Sequence, residues 1–169
     1  MAGYLHNPYQ TKHNTTTMET TEKAIEVLND LIEINNDRID GFDRASKDLD
    51  NVDVDLKAVF AKYASDSRKN SQELSQAVGE AGGEVETGNT ASGTIHRAWL
   101  DVKATFSGHD RKAILEECER GEDAIKKAYR EALSEDNGLS AQHRELIAQQ
   151  QQGINEGHDA IKALRDSQL

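Results

Sequence analysis

Four residues of this chain have the types and spacing for chemistry. Cys118, Glu119 and Glu122 stand close together in one stretch, and His158 stands in the next. Thiol, carboxylate and imidazole are the donors that hold iron, manganese or zinc. A cysteine beside a histidine is also the core of a nucleophile and its base. Folding the chain about residues 137–138 brings Cys118 and His158 to one level, so a shared soft metal is geometrically open to them. Zinc takes four protein ligands in a structural site and three in a catalytic one, and the sequence shows no two further ligands. Nucleophilic catalysis would also need an orienting acid and a route for substrate, which an inward helix face does not provide. A hydrogen-bonded histidine and a small apolar cysteine are the simpler reading of the pair.

A metal pair held between helices asks for more. It takes one Glu from each of two helices and Glu-x-x-His from each of the other two, because residues three apart share a helix face. Here the residue three before His158 is Asn155, a neutral amide, and Asp66 is followed at that spacing by Lys69, which repels a cation. Asn35 and Asn36 face inward where carboxylates are required, while Asp37 and Asp40 lean outward. Glu122 falls at the border of its apolar stripe, with Glu119 beside it. The sequence therefore predicts no metal and no cofactor. Under the alternative, iron, manganese or zinc would draw on Glu119, Glu122, His158 and Cys118. Asn35, Ser67, Asn70, Glu122, Gln151 and His158 read instead as a polar layer satisfied across the middle of the helices.

The elements that carry these groups are helices. At roughly 100° per residue, Ile114, Cys118, Gly121, Ile125, Ala128, Tyr129 and Ala132 share one face of a helix from about Asp110 to Leu133, while Glu116, Glu119, Asp123, Lys126 and Arg130 point largely away. Gly121 on the buried side predicts a close helix contact, since a helical glycine costs about 1 kcal/mol relative to alanine. Thr16 and Glu19 have capping-box spacing, so helix 1 is expected from there to about Asp48, on the line Ile25, Leu28, Ile32, Ile39 and Phe42. A short turn leads to helix 2, from about Val54 to Val78. Ser140 caps helix 4, which runs to about Asp166 with His143, Ile147, Gln151, Ile154, His158, Ile161 and Leu164 in one stripe. Asn137-Gly138 makes the preceding turn, where Gly138 serves mainly backbone freedom.

Between helices 2 and 3 lies the glycine-rich stretch 79–93, too polar for a strand. It is no phosphate loop, lacking a Gly-Lys-Ser/Thr ending. A short helix from Thr94 follows, with Ile95, Trp99, Val102 and Phe106 in line. His96, Arg97 and Trp99 form a mixed cluster that suits a partner surface, though Trp99 aligned with apolar neighbours reads more simply as packing. Residues 1–18 are polar and aperiodic and read as a disordered extension, leaving 19–169 as one domain. The connection lengths then give two antiparallel pairs joined by a crossover, an all-α, ferritin-like four-helix bundle.

Composition narrows the partners. With 30% charged residues and a net charge of −11, the acidic surface argues against nucleic acid, which needs a basic footprint. No apolar run approaches the roughly 20 residues of a membrane span, and the polar start has no signal-peptide core. Cys118 is the single cysteine, so no internal disulfide forms. A cytoplasmic location and a possible homo-oligomer or unknown protein partner follow as expectations.

Four segments, LNDLIEINNDRIDGF, HRAWLDVK, ILEECERGEDAIKKAYREAL and HDAIKALRD, resemble a bacterial domain of unknown function classed with the ferritin-like bundles and distantly akin to rubrerythrin. The resemblance covers about residues 20–167 and is most specific over 115–133. It implies the bundle architecture and brings no activity with it. A non-enzymatic bundle acting through its surface or by self-assembly is therefore the first expectation, and a metal or redox protein with a reduced ligand set is the alternative.

Overall fold

A computed structural model describes residues 8–86 and 110–168. Among these the chain forms four helices and no strand: α1 (Pro8–Asp48), α2 (Val54–Glu80), α3 (Arg111–Ser134) and α4 (Ala141–Asp166). The expected short helix over 94–106 and most of the glycine-rich stretch lie outside the described residues. No described helix is long and apolar enough to cross a membrane.

Helix α1 starts earlier than the capping-box spacing suggests. It opens at Pro8, where a missing N–H and a fixed φ suit the first helical turn. The threonines that promised a cap lie inside the helix instead. Thr20 Oγ1 donates to the Thr16 carbonyl at 2.8 Å and Thr21 Oγ1 to that of Thr17 at 2.9 Å, which satisfies the hydroxyls within the helix. Residues 8–18 belong to this helix, with Thr15–Lys23 exposed.

The other boundaries follow local chemistry. Ser140 Oγ accepts from the His143 N–H at 3.1 Å, a conventional N-cap. Helix α2 runs on past Val78 and closes in a Schellman motif. The Gly83 N–H reaches the Val78 carbonyl, the Gly82 N–H that of Gly79, and Gly82 takes φ +82. Asp53 precedes α2 without capping it. Its carboxylate binds Arg111 at 2.8 Å, and Asp55 binds the same guanidinium at 2.8 Å. Arg111 holds the Asp55 carboxyl down to about 2, and the three residues join the starts of α2 and α3.

The pairings set the directions. Asn35 meets Tyr129 and Arg38 meets Glu122, so α1 and α3 are antiparallel. Gln150 meets Asn70 and His143 meets Glu80, so α2 and α4 are antiparallel too. Each hairpin packs closely on itself, α1 lies against α3, and the α2–α4 seam is the sparsest. Two apolar cores fill the bundle. Leu28, Leu31, Leu74, Val78, Ile125, Ile147 and Ile154 belong to one, and Phe42, Phe60, Tyr63, Ile114, Leu115 and Ile161 to the other.

Candidate functional site

Between the two cores, each helix contributes one residue at the same level: Arg38, Ser67, Glu122 and Gly157. Arg38 and Glu122 are 1% and 0% exposed. The guanidinium engages both oxygens of the carboxylate, Nε to Oε1 at 2.6 Å and Nη2 to Oε2 at 2.8 Å, and its Nη1 donates to Ser67 Oγ at 3.1 Å. Its Cζ lies over two neighbouring aromatic rings, 5.4 Å from the Phe42 centroid and 5.3 Å from that of Tyr63. A planar fork that both matches a carboxylate and stacks on aromatics is what distinguishes arginine from lysine at such a place.

One turn away a neutral network continues the layer. Asn35 Nδ2 donates to the Leu31 carbonyl and to Tyr129 Oη, each at 2.8 Å. The Tyr129 hydroxyl donates to Gln150 Oε1 at 2.8 Å, and Asn70 Nδ2 donates to Asn35 Oδ1 at 3.3 Å. Burial pushes the Tyr129 phenol up, so it stays a donor.

Gly157 makes room for the ion pair. A Cβ there would lie 2.6 Å from Arg38 Nη2 and 3.1 Å from Glu122 Oε2. The guanidinium end is normally yielding, but here Glu122 and Ser67 hold its nitrogens and two rings crowd its carbon. Gly157→Ala is expected to destabilise by up to about 2 kcal/mol, an overpacking cost of about 1–3 kcal/mol against a helical gain near 1 kcal/mol. Gly153→Ala, with nothing within 4 Å, should keep that gain. Urea unfolding of both variants checks this, and equal shifts of the same sign would refute the packing role of Gly157.

The predicted ligands separate into three places. Glu122 turns inward from the edge of its stripe and is fully buried, and Arg38 occupies it. Cys118 sits in the apolar core with Ile114 and Ile161. Burial first, then the Glu122 and Glu117 carboxylates, pushes its thiol far up, so it is a protonated packing residue and not a thiolate. Glu119 and His158 do come together, joined by Asp123, a residue expected to face away. His158 Nε2 lies 2.6 Å from Asp123 Oδ1, and Nδ1 lies 3.1 Å from Asp159 Oδ1. Gln150 rather than Gln151 faces the interior.

The family described as a domain of unknown function, DUF2383, matches residues 23–135. The chain belongs to it. No curated protein matches this chain. The match spans Asn35, Arg38, Ser67, Glu122 and Tyr129, whereas Gln150, Gly157 and His158 on α4 lie beyond it. The DUF2383 region of this chain therefore holds both halves of the buried ion pair.

Proposed function

We propose that this chain is a ferritin-like four-helix bundle, bacterial and cytoplasmic, that is not an enzyme and works through its surface or by self-assembly. The carrying observation is the Arg38–Glu122 pair. A guanidinium that engages both carboxylate oxygens supports the reading that Glu122 serves Arg38 rather than a metal. On this reading Arg38 supplies the positive charge that a metal would bring to such a layer. The ferritin-like part of the reading draws on the helix directions, two antiparallel pairs with α2 and α3 running parallel, and on a connection long enough to return along the bundle. The self-assembly part draws on exposed Val52 and Val54 at the α1–α2 turn and on exposed Thr15–Lys23 of α1. The acidic surface disfavours nucleic acid as partner.

Two measurements on untagged protein test this reading. Sedimentation velocity over a range of concentrations should show concentration-dependent association. Aerobic Fe(II) incubation should show no oxidation above the buffer rate. Iron oxidation that turns over and disappears in Glu122→Gln would overturn the proposal, as would a strict monomer that captures no partner.

A further inference from the structure

We propose that Glu119, Asp123 and His158 form a divalent transition-metal site on the α3–α4 face, separate from the buried layer. Donor atoms of the three lie within 4.8 Å of one another. Donors bound at about 2.0–2.2 Å stand roughly 3–4 Å apart around one ion, so small side-chain rotations close the set. Glu119 and Asp123 are four apart and share a face of α3, and His158 meets them from α4. The imidazole is already aimed: Asp159 engages Nδ1 at 3.1 Å and leaves Nε2 toward the α3 carboxylates. A carboxylate behind a ligating histidine is the arrangement that fixes ring orientation at metal sites.

Access comes from the solvent side. Asp123 is 61% exposed while His158 is 9%, and Glu119 and Asp123 line an open groove with Lys112, Glu116 and Arg165. Water can fill the remaining coordination position. One imidazole with two carboxylates suits Zn(II), Mn(II) or Fe(II) rather than Mg(II) or Ca(II), which prefer oxygen alone. On binding, Nε2 uses its lone pair for the ion and any proton it carries passes to solvent.

Arg165 is the built-in competitor. Its Nη1 donates to Glu119 Oε2, and its Nη2 donates to Asp166 at 2.6 Å. An ion must take Glu119 from Arg165, which retains Asp166. Lys126 and Lys162 also stand near Asp159 and oppose a cation without blocking it.

The test is calorimetric titration of the untagged full chain with Zn(II) in excess Mg(II), with thermal melting of each sample. One equivalent should bind. His158→Gln and Asp123→Asn should each weaken binding at least tenfold, Asp159→Asn should weaken it less, and Arg165→Gln should tighten it. His143→Gln, which alters the separate Glu80 pair, should change nothing. Zn(II) should raise the melting temperature of the parent chain and not of His158→Gln. Absence of binding, or binding that survives His158→Gln, would overturn the site and leave the reading of the buried pair standing.

Discussion

Glu122→Gln should cost about 3–5 kcal/mol, the loss typical when one partner of a buried ion pair is removed and the other charge is stranded. For a domain of this size each kcal/mol moves the melting temperature by about 2–4 °C, so the midpoint should fall by on the order of 10 °C. Arg38 retains Ser67 and its two rings but has no counter-charge. The double replacement Arg38→Met with Glu122→Leu should recover most of the loss, because an apolar pair of similar volume carries no desolvation penalty. Circular dichroism melts of the three variants give the comparison. A single-variant loss under about 1 kcal/mol would show that the ion pair does not hold the centre of the bundle.

Gly138→Ala should be about as damaging, at roughly 2–6 kcal/mol. Gly138 takes φ +75, and a non-glycine residue there costs about 1–3 kcal/mol in strain. An added Cβ would also lie 2.3 Å from the Thr20 carbonyl oxygen, where backbone must move, at an overpacking cost of about 1–3 kcal/mol. Gly82→Ala separates the two contributions, since Gly82 has φ +82 and nothing within 4 Å. Equal losses at both positions in chemical denaturation would mean that the Thr20 approach contributes nothing. Reading Gly138 as a turn glycine alone therefore underrates it: the α3–α4 turn packs against α1, and sequence spacing carries no sign of that distant contact.

The four described helices, the α1–α2 turn, the bounds of α3 and the Ser140 cap were legible because each depends on neighbours in the chain. The polar layer was legible in part. Asn35, Ser67 and Glu122 were found because polar residues interrupted apolar lines. Arg38 was missed although Leu28, Leu31, Asn35, Arg38, Phe42, Ala45 and Leu49 alternate steps of three and four, and all are buried. A charged side chain on such a line is readily taken for solvated, since arginine is almost never fully buried unless paired. Its partner lies on another helix, so the pairing is invisible to local pattern. Gln150 was lost to Gln151 for a related reason. His143, Ile147, Gln150, Ile154, Gly157 and Ile161 follow a heptad, and a straight-helix wheel drifts about 20° per heptad from it. The Glu119–Asp123–His158 trio required knowledge of how α3 and α4 face each other, which the two stripes alone did not contain.

The buried pair also bears on how the two hairpins choose their alignment. Apolar knobs tolerate sliding, because a shift of one heptad, about 10 Å along the axis, sets leucine against isoleucine much as before. On α1 that shift would place Leu31 or Ala45 opposite Glu122 and leave the carboxylate dry and alone, with the guanidinium stranded elsewhere. Near-miss assemblies thereby lose both halves of one strong interaction at once, and the correct one gains both. The charge pair acts as an error check on assembly, separating one alignment from its closest competitors by more than the surrounding hydrocarbon does.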